Sequence, residues 1–146
     1  MKNRLQILVV DDEPTVRQAI KQLLRHVGYE VEAVDGGEAA LDLMQQRAFD
    51  VVITDFSMPG MYGDQLAARI RQQSPGQPII MVTAYAQEFK VFGQPYANVD
   101  ALILKPFTLQ ELDEAIKQVV RPPQTREPAL VMPGFTQSSP LESPAV

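Results

Sequence analysis

The chain has no cysteine, one histidine and no apolar run longer than a strand. The first absence excludes disulfides and thiolate metal sites and leaves the redox compartment open. His26 lies in a helical stretch away from the strand ends, where it reads as a surface or packing residue. It leaves this chain without a phosphohistidine donor of its own. No segment approaches the roughly 20 apolar residues of a membrane span, and the N-terminus carries no signal-peptide pattern, so a cytoplasmic address is expected. Positive charge is scarce: 13 Lys and Arg face 18 Asp and Glu, a net charge of −5. That balance argues against a nucleic-acid-binding or anionic-membrane surface. No internal repeat is evident. What remains is 146 residues of ordinary globular composition, enough for one domain with a real core and a tail.

Short apolar runs alternate with helical patterns along this domain. Leu5 to Val10 reads as a first strand, followed by Asp11, Asp12 and Glu13, with Pro14 suited to open a helix. Val16, Ile20, Leu23, Leu24 and Val27 recur at helical spacing, and Gly28 stops them. Glu30 to Val34 is a second strand, and Asp35-Gly36-Gly37-Glu38 resembles a capped helix start, with Asp35 in the cap position. Val51 to Thr54 is apolar and β-branched on both alternating faces and ends in Asp55, with Pro59, Gly60 and Gly63 in the loop beyond. Leu66, Ala67 and Ile70 mark a third helix, and Pro78 to Thr83 a fourth strand. Between Ala84 and Val99 a short or distorted helix is expected, interrupted by Gly93 and Pro95. Asp100 to Leu104 is the fifth strand. Thr108 with Glu111 then gives a capping-box start to a last helix through Leu112, Ile116 and Val119.

This alternation predicts an α/β domain over residues 4–121, a parallel sheet with helices on both faces. From residue 122 to 146 the composition shifts. Half of the twelve prolines fall there among Ser, Gln and Thr, which reads as a linker or disordered tail. Its one apolar patch, Ala129 to Phe135, is expected to be unstructured rather than docked.

In a parallel sheet the strand ends lie on one edge, where ligands bind in open α/β folds. That edge collects Asp11, Asp12, Asp55, Thr83 and Lys105. Each has a plain alternative: a helix cap, a turn-starting carboxylate, a strand-end hydroxyl, a solvated charge. Together they are hard to attribute to chance. Three carboxylates and one lysine leave about two negative charges, and unit charges about 4 Å apart repel by roughly 4 kcal/mol at an effective dielectric near 20. A divalent cation relieves that repulsion, and oxygen-only ligands select a hard one, Mg2+ (or Mn2+). A carboxylate beside such an ion, a lysine and a hydroxyl is an apparatus for phosphoryl transfer. Asp55 would be the nucleophile, with Lys105 and Thr83 facing the phosphoryl oxygens.

The runs Val9-Val10-Asp11-Asp12-Glu13-Pro14, Thr54-Asp55-Phe56-Ser57-Met58-Pro59-Gly60, Val82-Thr83-Ala84 and Leu104-Lys105-Pro106-Phe107 resemble the receiver domain of two-component response regulators. The resemblance implies a doubly wound, five-stranded parallel sheet of order 2-1-3-4-5, the flavodoxin-like (CheY-like) arrangement. It implies that Asp55 accepts a phosphoryl group from a histidine kinase or a histidine phosphotransfer protein, switching the binding of a downstream partner. It further implies Mg2+ held by Asp12, Asp55 and the Ser57 backbone carbonyl, with Asp11 acting through water, and a cis Lys105-Pro106 peptide. Such a domain catalyses only its own phosphorylation and dephosphorylation and is not otherwise an enzyme.

Three departures from the family pattern bear on switching. Leu102 stands where an aromatic is usual, Met61-Tyr62-Gly63 replaces Met-Asp-Gly and so removes a helix cap, and Asn98-Val99-Asp100-Ala101 replaces a small Gly-Ala pair. With no ring to swing at Leu102, switching is expected to rely on backbone shift, and Tyr85 is expected to shield the site rim. The alternative, an Mg2+-dependent phosphatase or phosphotransferase with an Asp nucleophile, wants Asp-x-Asp, whereas this chain has Asp55-Phe56-Ser57. A flavin module is disfavoured because no Ser/Thr/Gly-rich phosphate loop follows the first strand.

Overall fold

Alternate residues of the strands partition cleanly between two hydrophobic layers in the computed structural model, which describes residues 4–84, 98–120 and, as backbone, 129–131. The strands are β1 (Gln6–Val10), β2 (Glu30–Val34), β3 (Val51–Asp55), β4 (Ile79–Thr83), β5 (Ala101–Leu104) and β6 (Ala129–Val131). The helices are α1 (Pro14–Val27), α2 (Gly37–Gln46), α3 (Gly63–Gln73) and α4 (Leu109–Val119). Side chains alternate across a strand with a period of two. Leu8, Val10, Val52, Met81 and Leu102 therefore pack with Ala40, Leu41, Leu66, Ala67 and Ile70 of α2 and α3. Ile7, Val9, Ile53, Val82 and Ile103 pack with Ile20, Leu24, Leu112, Ala115 and Ile116 of α1 and α4. With both faces covered, β3 and β4 are buried along their whole length, as their unbroken apolar runs predict.

Every pairing is parallel, and the five expected strands stand in the order β2-β1-β3-β4-β5. A sixth joins them. Ala129–Val131 runs parallel to β5, in register Ala101↔Ala129 to Ile103↔Val131. This strand lies within the apolar patch expected to be unstructured. A short apolar segment paired on an edge gives partners to backbone groups that β5 would otherwise expose. The helix expected between β4 and β5, and Tyr85, fall on residues 85–97, outside those described. Among the described residues, no helix is long and apolar enough to cross a membrane.

The helix ends follow local chemistry, with two differences. Pro14 opens α1, and Gly28 closes it at φ 120, its amide bonded to the carbonyls of Leu24 and Arg25. Thr108 and Glu111 form the reciprocal cap of α4, at 3.1 and 2.9 Å. Asp35 is not the cap of α2. Gly36 holds that position, with no side-chain hydrogen bond, because the helix starts one residue later than the spacing suggests. At α3 the missing Asp is partly compensated: the Gln65 side chain accepts from the Tyr62 amide at 2.9 Å.

Candidate functional site

The register of the sheet brings the predicted groups together. Val10 pairs with Thr54, Asp55 with Val82 and Thr83 with Leu104, so Asp11, Asp55, Thr83 and Lys105 fall at neighbouring strand ends. One carboxylate oxygen from each of Asp11, Asp12 and Asp55 lies within 4.8 Å of the others. Lys105 Nζ stands 3.3 Å from Asp55 Oδ1. Asp55 is 8% exposed, Asp11 3% and Thr83 1%, while Asp12 is half-buried. Ser57 follows in the loop with its side chain exposed.

Backbone bonds hold these groups in place. The Asp11 amide donates to the Val34 carbonyl at 3.1 Å, and its Oδ1 accepts the Glu13 amide at 2.9 Å. The Lys105 amide donates to the Thr83 carbonyl at 2.8 Å, next to a cis Lys105-Pro106 peptide, the isomer expected from the family resemblance. The Thr54 hydroxyl donates to the Asp55 carbonyl at 2.9 Å. Sequence reasoning missed Arg17, whose Nη1 donates to the Asp11 carbonyl at 2.8 Å from the first turn of α1. It also missed the tilted contact of the Phe56 and Tyr62 rings, centroids 5.5 Å apart, with Tyr62 43% exposed at the end of the loop after β3. Neither contact has a spacing signature, because each is set by the path of a loop and not by the period of a helix or strand.

Burial dominates the electrostatics. It pushes the Asp55 carboxyl up to about 6, against the opposing pull of Lys105 and with further upward pressure from Asp11. Asp11 is raised too, again chiefly by burial. Such a cluster suits a cation. Ligand oxygens about 2.1 Å from Mg2+ stand at most about 4.2 Å apart, near the separation available here. The donors are all oxygens and partly desolvated, which fits a hard divalent ion.

Comparison with known proteins agrees with this geometry. The sequence pattern of the response regulator receiver domain matches residues 7–117. The chain is 39% identical over 118 residues to the chemotaxis protein CheY of Pseudomonas aeruginosa, covering 79% of this chain and 95% of that one. Its structure resembles that of the response regulator TrrA of Thermotoga maritima, solved in complex with Mg2+-BeF. The TM-score is 0.73 and the identity 36%, over 79% of this chain and 98% of that one. A CheY-like receiver domain protein of Methanospirillum hungatei gives a TM-score of 0.74 at 34% identity, over 81% and 94%. The chain belongs to the receiver-domain family of response regulators and is a component of two-component signalling.

Proposed function

We propose that Asp55 accepts a phosphoryl group from a phosphohistidine on a histidine kinase or a histidine phosphotransfer protein, and that the resulting acyl phosphate switches a downstream partner. One observation carries this reading: the Asp11, Asp12 and Asp55 carboxylates converge within 4.8 Å, with the Lys105 ammonium 3.3 Å from Asp55. Asp12, Asp55 and the Ser57 carbonyl are the proposed direct ligands of Mg2+ (or Mn2+), with Asp11 acting through water. Bound there, the ion supplies positive charge for the phosphoryl oxygens. The Asp55 carboxylate attacks phosphorus in line as the P–N bond of the donor breaks, and its electron pair leaves with the imidazole. Lys105 transfers its contact from Asp55 to a phosphoryl oxygen, and the Thr83 hydroxyl donates to another. Water attacking the same phosphorus later restores the carboxylate, so the domain acts only on its own phosphorylation. Residues 4–121 carry this site, with 122–146 a linker or tail whose Ala129–Val131 segment pairs with the edge of the sheet. The donor must reach Asp55 by contact, and the reading places both partners in the cytoplasm.

Incubation with Mg2+ and a small acyl phosphate is expected to add one phosphoryl group, seen as a single mass increment. Asp55→Asn should not label. If it labels as well as the unchanged protein, another residue is the acceptor.

A further inference from the structure

The loop from Asp55 to α3 is held between two glycines that press against different things. A Cβ on Gly63 would lie 2.3 Å from the Asp55 carbonyl oxygen, 2.9 Å from the Phe56 Cα and 3.1 Å from the Asp55 carbonyl carbon. All three are backbone atoms at the end of a wholly buried strand, so no side chain can rotate aside. The Gly63 amide also donates to the Phe56 carbonyl at 2.7 Å. Dihedral freedom is not the reason for glycine here, because positive φ is confined to Gly28 and Gly60 among the described residues. Space is. At Gly37, by contrast, the three atoms nearest to a Cβ all belong to the Met61 side chain, Sδ at 2.4 Å, Cγ at 3.2 Å and Cβ at 3.3 Å. A thioether is the most adaptable of core groups.

We propose that Gly63 is a positioning residue of the phosphorylation site. Lacking a side chain, it lets the first residue of α3 seat directly on the Asp55 peptide. That contact fixes where the Asp55 carboxylate and the Ser57 carbonyl stand relative to Asp11, Asp12 and Lys105. The inference rests on the reading of Asp55 as acceptor and metal ligand. Ordinary contact for a Cβ begins near 3.4 Å, so alanine at 63 must drive the loop and the strand end apart. The opening needed is about 1 Å, a displacement that can cost on the order of 100-fold in rate when it falls on reacting groups.

Gly63→Ala and Gly37→Ala, compared with the unchanged protein, separate positioning from packing. Both are expected to melt earlier. Only Gly63→Ala should also bind Mg2+ about tenfold or more weakly by calorimetry, below its melting range. Its initial rate of phosphoryl uptake from an acyl phosphate should fall by roughly 100-fold, while Gly37→Ala keeps both properties once folded. A folded Gly63→Ala that binds Mg2+ and takes up phosphate like the unchanged protein overturns the proposal. So does an equal loss in both variants. If Gly63→Ala does not fold, the unchanged protein still gives an answer by amide NMR. Saturating Mg2+ should shift the Gly63 and Phe56 amides and slow exchange at Gly63, leaving the Gly28 amide unmoved. A Gly63 amide indifferent to Mg2+ overturns the proposal. An unchanged protein that neither binds Mg2+ nor accepts phosphate strikes first at the acceptor reading, and this one falls with it.

Discussion

Asp55 is held in an environment that disfavours its own charge. Its carboxyl is raised from 3.8 to about 6, mainly by burial, and Lys105 offsets only part of that cost. An acid whose folded pKa lies above its unfolded one binds more protons when folded across the interval between the two. Stability therefore falls as pH rises from about 4 to about 6, and stays lower above that. Replacing the charge removes the penalty. Without divalent cations at pH 7.5, Asp55→Asn should be more stable than the unchanged protein by on the order of 1–3 kcal/mol. The gain should shrink toward zero below about pH 4, where both side chains are neutral. Chemical denaturation at the two pH values measures it, and an Asn variant less stable at pH 7.5 would refute the strain. The identities of these residues were readable from the strand-end pattern. Their burial was not, because it depends on which helices close over the edge.

At the scale of elements, β6 is the departure from expectation. Three residue pairs join Ala129–Val131 to β5. Each backbone hydrogen bond contributes about 1 kcal/mol net, while ordering each residue costs about 1–2 kcal/mol. The strand should therefore be close to neutral in stability. Truncation after Arg121 is expected to leave the melting temperature nearly unchanged while speeding amide exchange along Ala101–Leu104. Exchange in β5 that is identical with and without residues 122–146 would mean that the strand does not form in solution. The unusual stretch before β5 has a structural account of its own. Asp100 Oδ2 accepts from Arg71 Nη2 at 2.6 Å and from the Ile79 amide at 2.8 Å, and Arg71 Nε donates to the Gln77 carbonyl at 3.0 Å. The Asp100 carboxylate thus ties the start of β4 and β5 to the end of α3.

Across the whole molecule, folding brings Asp55 to the adjacent Asp11 and Asp12 from more than forty residues along the chain, and the repulsion among the three opposes folding. A cation that binds only the assembled cluster must then stabilise the fold by mass action. At 100 times its dissociation constant the gain is about 2.7 kcal/mol. Mg2+ should raise the melting temperature in proportion to the logarithm of its concentration, and Asp12→Ala should abolish most of that rise. Melting that ignores Mg2+ in the unchanged protein would remove the metal site. The alternating pattern of the sequence determined the parallel strands, the helices on both faces, the Pro14 and Gly28 ends of α1 and the cap at Thr108. It also determined which polar groups stand at the strand ends, since these features rest on local periodicity and side-chain chemistry. Tertiary structure alone decided the close seat of Gly63 on Asp55, the Arg17 bond to Asp11, the Arg71–Asp100 tie, the raised carboxyl of Asp55 and the pairing of β6. Each depends on how loops and neighbouring elements settle against one another, some joined across few residues and some across many, and hydrophobic spacing within one element carries no information about that.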